Sequence, residues 1–258
     1  MTRVNGKTTR GETSDRRRGG RSIDFYQLDL DRYYTIEEFE EINDWLKTKP
    51  VDLNEHSKNR FKDLETISHF EYENGYLIPM PETPIEKEGA VCEISRQLAN
   101  WNIQTGENGV PTTSQGGFDF SVMLGDRTIR APDVAFTPKE TYRTLSAEQL
   151  RTFRGKPFHP SFVVEVEDVS RAFKLAELTT KFKETYFPAG VDLGWLLDPI
   201  NKVIFMFKKD RNGSVRRRNH GWGDVNGGDV LPGFTLEVDA IDQAISQVFL
   251  SILSYFTF

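Results

Sequence analysis

The chain has 258 residues with 37% hydrophobic composition, a single cysteine and a net charge of −6 at pH 7. This length suits one large domain with extensions better than several small ones. The lone Cys92 excludes a disulfide framework and a thiolate zinc site, so a metal would need oxygen or imidazole ligands. No apolar run approaches the roughly 20 residues that span a bilayer. We therefore expect an intracellular protein with no membrane partner, in the cytoplasm or the nucleus.

The charge is unevenly distributed along the chain. Residues 1–22 contain seven Lys or Arg residues and two acidic residues, a net +5 that leaves −11 for the remainder. This segment has almost no apolar residues to offset the entropy of ordering, and we expect a disordered basic tail. The tail could contact nucleic acid, although a solvated leader is the simpler interpretation.

Residues 23–65 are expected to form an N-terminal helical extension. Thr35 followed by Glu38 is a capping-box pattern, and apolar residues then recur at helical spacing to about Lys47. The stretch from Lys49 to Asn59 is typical of a connection. A β-hairpin around the Asn74-Gly75 turn follows and lies within the main domain, predicted over residues 66–247.

The main domain alternates helical and extended patterns. Helices are predicted at 88–103, 146–153 and 171–186, and strands at 112–122, 129–136, 162–166, 193–197 and 202–208. This order predicts an α/β (α+β) fold in which helices flank a central mixed β-sheet. The last segment, 248–258, is a strongly apolar C-terminal end that is about half as long as a membrane span.

Glu165 lies in the middle of an otherwise apolar strand, Phe162-Val163-Val164-Glu165-Val166. Burying an ionised carboxylate without a partner costs several kcal/mol, so this residue needs an explanation. A salt bridge to Arg or Lys, or a strand end that reaches solvent, would provide one. A functional site would provide another.

Asp133 follows Ala131-Pro132 at the entry to a strand, where it could also be a simple turn residue. Two carboxylates on neighbouring strands form an all-oxygen site suited to Mg²⁺ or Mn²⁺. Such an ion supports phosphodiester hydrolysis because it polarises the phosphoryl oxygen and activates water. A lysine would complete the site, and Lys174, Lys181 and Lys183 lie on the next predicted helix.

Three segments together resemble a known family. They are Arg130-Ala131-Pro132-Asp133-Val134-Ala135-Phe136, the Glu165 strand, and residues 190–199 with the sequence Gly-Val-Asp-Leu-Gly-Trp-Leu-Leu-Asp-Pro. In order and spacing they are similar to the Uma-type restriction endonucleases, a branch of the PD-(D/E)XK nuclease superfamily with a restriction-endonuclease-like fold. The resemblance covers about residues 68–245.

The resemblance implies roles for four residues. Asp133 and Glu165 correspond to metal ligands, and Glu93 on the early helix corresponds to a further acidic position that can also hold metal. The family lysine lies on the helix before the Gly-Val strand entry, where Lys181-Phe182 followed by Tyr186 matches best; Lys183 and Lys174 are alternatives. Glu93 could equally be a surface or capping residue.

The sequence departs from the family pattern at the strand glutamate. The usual lysine position, two residues after Glu165, is occupied by Glu167. The segment before Gly190 is also a few residues longer than usual, which leaves the register of Lys181 open. A basic hairpin that contains Arg216, Arg217 and Arg218 could bind nucleic acid through its phosphates, or could be a solvated turn.

These observations predict a metal-dependent endonuclease that hydrolyses DNA phosphodiester bonds with Mg²⁺ or Mn²⁺ as cofactor. The alternative is an inactive nuclease-fold protein that binds nucleic acid or another protein. A purely structural acidic pair, bridged by Arg130 or Arg171, is a third interpretation. Palindromic cutting would favour a homodimer.

Overall fold

The computed structural model describes residues 22–62, 64, 66–122 and 127–246. The helices are α1 (Ile36–Leu46), α2 (Glu55–Arg60), α3 (Ile85–Thr105), α4 (Lys139–Thr144), α5 (Ala147–Arg151), α6 (Ala172–Thr180), α7 (Phe187–Ala189) and α8 (Val238–Ile245). A π-helical turn, Lys181–Tyr186, joins α6 to α7. The strands are β1 (His69–Glu73), β2 (Tyr76–Met80), β3 (Val110–Thr113), β4 (Phe118–Asp119), β5 (Thr128–Arg130), β6 (Val134–Thr137), β7 (Phe162–Val166), β8 (Leu193–Asp198), β9 (Val203–Lys209), β10 (Val215–Gly221), β11 (Val225–Asn226) and β12 (Thr235–Leu236).

The main sheet has six strands in the order β10-β9-β8-β7-β6-β3. Strands β7 and β8 are parallel and the other neighbours are antiparallel. Side chains of β7 alternate between two cores, since Val164 packs with α3 and α8 whereas Val163 packs with α6 and the π-helical turn. The predicted α/β fold with a mixed sheet flanked by helices is therefore confirmed.

A second, four-stranded antiparallel sheet has the order β2-β1-β5-β4. The N-terminal helix α1 covers it, with Phe39 and Ile42 buried beside Phe70 and Tyr72. The capping box predicted at α1 is present, because the Thr35 side chain accepts from the Glu38 amide and Glu38 accepts from the Thr35 amide.

Two predicted strands are each divided between the two sheets. The predicted strand 129–136 is β5 of the small sheet and β6 of the main sheet, and the predicted strand 112–122 is β3 and β4. Pro132 interrupts the first because proline has no N–H for a β-ladder. The prediction of single strands here was wrong, and the break positions Asp133 at the start of β6.

Other boundaries also differ from the sequence prediction. Helix α2 lies in the predicted connection 49–59, and its N-cap is Asn54. The predicted helix 171–186 changes from α to π geometry at Lys181, and α8 was not predicted at all. The predicted tail 1–22 lies almost wholly outside the described residues, and the predicted C-terminal end 248–258 lies outside them entirely. None of the helices in the described ranges combines the length and the hydrophobicity that a membrane span requires.

Candidate active site

Asp133 and Glu165 face each other at the junction of β6 and β7. Val134 pairs with Val164 in this antiparallel ladder, and one further step of the register places Asp133 opposite Glu165. Opposed residues of such a pair project from the same face, with Cβ atoms about 4.5 to 5.5 Å apart. The two carboxylates that the sequence singled out are therefore cross-strand neighbours, and both are buried.

The Asp133 carboxylate is fixed by the backbone of the neighbouring strand. Its Oδ2 accepts a hydrogen bond of 2.8 Å from the Val166 amide. Burial, and then the charge of Glu165, raise the pKa of Asp133 to about 6, although Lys87, this hydrogen bond and Lys181 act in the opposite direction. Two buried carboxylates this close together repel each other, and a nearby positive charge is needed to stabilise them.

Lys181 and Tyr186 both contact Oε1 of Glu165. The Lys181 Nζ lies 3.0 Å from this oxygen, and the Tyr186 hydroxyl donates a hydrogen bond to it. The two residues begin and end the π-helical turn, and i→i+5 geometry directs residues five apart to the same side. The π-helical turn therefore keeps both side chains at Glu165.

The electrostatics of Lys181 are dominated by these neighbours. Burial disfavours the ammonium, but Glu165 and Glu71 more than compensate, so the pKa of Lys181 is raised above its ordinary value. Burial and the adjacent Glu165 raise the pKa of Tyr186 well above its ordinary value. Lys181 is therefore a cation and Tyr186 a neutral hydrogen-bond donor at physiological pH.

Glu71 of β1 brings the small sheet into the site. Its Oε1 lies 3.6 Å from Lys181 Nζ and accepts a hydrogen bond of 2.9 Å from the Ala131 amide. Arg130 contacts Glu71 and Glu73. Within the described residues, neither Arg130 nor Arg171 forms an ion pair with Asp133 or Glu165, so the interpretation of an arginine-bridged acidic pair was wrong.

A second lysine reaches the site from the first turns of α3. The Lys87 Nζ lies 3.2 Å from Asp133 Oδ2 and 3.3 Å from Glu167 Oε2. Burial lowers the pKa of Lys87, but Asp133 and Glu167 outweigh it and the net shift is upward. Each carboxylate of the central pair thus has its own lysine, supplied by a different helix.

The carboxylate pair has the donor chemistry that a hard divalent cation needs. Among the described residues, Asp133 accepts its hydrogen bond at Oδ2 and Glu165 accepts its hydrogen bond at Oε1. The shortest lysine contact of each carboxylate is with the same oxygen. The described part of the chain contains no group of three or more His, Cys, Asp or Glu side chains that could hold a metal ion. The pair would therefore suit Mg²⁺, which is commonly held by one or two carboxylates together with water and substrate phosphate.

Glu93 lies in a different network on α3. Its carboxylate accepts two hydrogen bonds from the Arg96 guanidinium, at 2.6 and 2.7 Å, and one from Gln97 at 2.9 Å. The hydrogen bond from Arg96 is the main reason that the pKa of Glu93 is lowered. Among the described residues, Glu93 does not form a group of three possible metal ligands with Asp133 and Glu165. Its role as a metal ligand stays a prediction.

The three arginines of the basic hairpin lie on edge strand β10 and alternate between its faces. Arg217 donates to Thr179 of α6 and covers the Phe205 ring, so it lies on the Glu165 side of the sheet. Arg216 and Arg218 project from the opposite face, where Arg216 pairs with Asp210 at 2.8 Å. Three strand spacings of about 4.8 Å separate β10 from β7.

The alternative helix lysines are placed away from the carboxylates. Lys174 pairs with Glu177 at 3.4 Å, and Lys183 is exposed to solvent. The structure therefore joins Asp133, Glu165 and Lys181 as the sequence predicted, and adds Glu71, Lys87 and Tyr186, which the sequence analysis missed as site residues. The sequence gives one indication for Glu71, because an acidic residue lies between the aromatic residues Phe70 and Tyr72 in a predicted strand.

The fold and the clustered carboxylates and lysines define a nuclease-like α/β protein. The family model described as "Uma2: Putative restriction endonuclease" matches residues 58–239, and the chain belongs to this family. A solved structure described as "a putative nuclease belonging to DUF820", from Anabaena variabilis, is similar with a TM-score of 0.51 and 12% sequence identity. The similarity covers 73% of this chain and 98% of that one, and shows a shared fold. No curated protein matches the sequence.

Proposed function

We propose that this protein is a Mg²⁺- or Mn²⁺-dependent endonuclease that hydrolyses phosphodiester bonds of DNA. The observation that supports this most strongly is the cross-strand pair Asp133 and Glu165 with Lys181 at 3.0 Å from Glu165. Membership of a family of putative restriction endonucleases supports the same class of substrate.

In this proposal Asp133 and Glu165 would hold the cation between their carboxylates. When bound, the ion supplies a Lewis acid for the phosphoryl oxygen and lowers the pKa of water. Lys181 orients the attacking water beside Glu165 and offsets the negative charge that develops on the phosphate. Tyr186 and Glu71 position Lys181 and Glu165 without contacting substrate.

Because the protein as a whole is acidic, DNA binding would depend on basic groups that lie around the carboxylate site. Arg217 lies on the same face of the sheet as Glu165 and is the best-placed arginine of the hairpin. Arg216 and Arg218 would extend binding only if the nucleic acid also passes around the edge strand.

The test is incubation of the purified chain with supercoiled plasmid and with short duplexes, in Mg²⁺, Mn²⁺ or EDTA. We expect cleavage with either cation, none in EDTA, and at least about a 10²-fold loss in Asp133→Ala. Cleavage that persists in Asp133→Ala would contradict the site. Duplex binding without cleavage under every condition would instead favour a noncatalytic binding module. Matched RNA substrates test the preference for DNA, and sedimentation of the same sample tests for a homodimer.

A further inference from the structure

Lys87 is the second ammonium beside the carboxylate pair, and the proposed hydrolysis has not used it. It begins from α3, on the opposite side of the main sheet from α6, and reaches Asp133 at 3.2 Å. Lys181 reaches Glu165 at 3.0 Å from the other helix. The two lysines therefore flank the pair of carboxylates from two sides.

Glu167 holds Lys87 in this place. Its Oε2 lies 3.3 Å from Lys87 Nζ, and its side chain makes no other hydrogen bond or ion pair with a described residue. Glu165 and Glu167 are separated by Val166 alone at the end of β7. The chain therefore has an acid where β7 ends and a lysine that approaches from α3 to meet it.

The Lys87 ammonium has a donor to spare. An ammonium group has three N–H donors. The hydrogen bond to Glu167 and the ion pair with Asp133 involve at most two of them. The Lys87 side chain is 24% exposed, compared with 17% for Lys181, so an anion can approach it from solvent. A phosphodiester oxygen is an acceptor of the size and charge that this position would accommodate.

We infer that Lys87 is a second phosphate-binding lysine of the active site, positioned by Glu167, and that its ligand is the phosphodiester group that is cleaved. This inference rests on the proposed nuclease function. The Lys87 ammonium donates to a non-bridging phosphate oxygen on the Asp133 side, while Lys181 acts on the Glu165 side. No bond to Lys87 forms or breaks, because its contribution is electrostatic.

The first test compares steady-state cleavage of one duplex by wild type, Lys87→Met and the surface control Lys47→Met. Lys47 forms an exposed pair with Asp44 at 2.7 Å, remote from the site residues in the chain. We expect kcat to fall about 10²-fold in Lys87→Met and to stay unchanged in Lys47→Met. Glu167→Gln, which leaves the lysine without its positioning partner, should lose about 10-fold.

The second test moves the lysine from the helix to the strand. In the double variant Lys87→Met with Glu167→Lys, an ammonium is again expected beside Asp133, now supplied by the residue that follows β7. We expect at least about a 10-fold recovery of kcat relative to Lys87→Met. A merely structural ion pair would show no recovery, because Lys87 and Glu167 are no longer paired in either variant.

The third readout is independent of cleavage. Titration calorimetry with Mn²⁺ alone should show binding at least as tight in Lys87→Met as in wild type, because a positive charge beside Asp133 has been removed. Weaker Mn²⁺ binding, an unchanged kcat in Lys87→Met, or no recovery in the double variant would each overturn the inference.

Glu167→Gln is the fallback if Lys87→Met does not fold. A wild-type chain that cuts no DNA overturns the proposed function and this inference together, whereas an active Lys87→Met beside an inactive Asp133→Ala overturns this inference alone.

Discussion

Lys181 and Tyr186 meet at one oxygen atom, Oε1 of Glu165, although they are five positions apart in the chain. In an α-helix residues five apart point in different directions, and the π-helical turn brings them to the same side. The ring of Tyr186 also lies beneath the Lys181 ammonium, 5.5 Å from its Nζ. The geometry of this turn therefore decides how Glu165 is held.

Tyr186→Phe should slow cleavage about 10-fold and lower the free energy of unfolding by about 2 kcal/mol. The change removes one hydrogen bond to a charged acceptor but leaves the ring in its core and Lys181 at Glu165. Thermal melting and steady-state cleavage measure the two effects. Tyr142→Phe, at a partly exposed tyrosine of α4, is the matched control and should change neither.

Lys181→Met should abolish detectable cleavage and destabilise the fold by about 3 kcal/mol. It leaves Glu165 and Glu71 buried without their shared cation, which is the costly way to break a buried ion pair. Lys183→Met, two residues further along the same turn, changes an exposed side chain and should behave as wild type. The reverse result would assign the site lysine to Lys183.

Asp133→Asn should stabilise the metal-free protein at neutral pH. The pKa of Asp133 is raised from 3.8 to about 6, so the folded state binds its proton more tightly than the unfolded state. Stability due to this group is complete below about pH 4 and is lost as the pH rises through 6, by at most about 3 kcal/mol. Asparagine carries no charge to bury, and avoids that loss.

Melting temperatures of wild type and Asp133→Asn in EDTA measure this effect. We expect the variant to melt higher at pH 7.5 and the difference to shrink at pH 4.5. A difference that is the same at both pH values would show that the titration of Asp133 is not its cause.

Arg217→Ala should weaken duplex binding and reduce the slope of log affinity against log salt by about 1, the change expected when one phosphate contact is lost. Arg217 shares the Glu165 face of the main sheet, whereas Arg218 projects from the other face. Fluorescence anisotropy across a salt series separates them. Equal effects of Arg217→Ala and Arg218→Ala would show that the nucleic acid wraps around β10.

The amino-acid sequence by itself determined the fold class and the central residues of the site. A carboxylate within an apolar strand is costly to bury, which singled out Glu165, and the proline before Asp133 marked a strand entry. The order of these segments gave the family resemblance, which the match over residues 58–239 confirms. Lys181 was predicted from the same resemblance, with its register left open.

Only the tertiary structure decided which other residues join the site. Glu71 and Lys87 are far from Glu165 in the chain, and the fold brings Glu71 to Lys181 and Lys87 to Asp133. Glu93 has the right chemistry, but Arg96 and Gln97 on its own helix bind its carboxylate. Local sequence patterns indicate which residues are buried and whether a segment is helical or extended. Contacts between distant segments depend on how sheets and helices pack, and the contact of Lys87 with Asp133 is of this second kind.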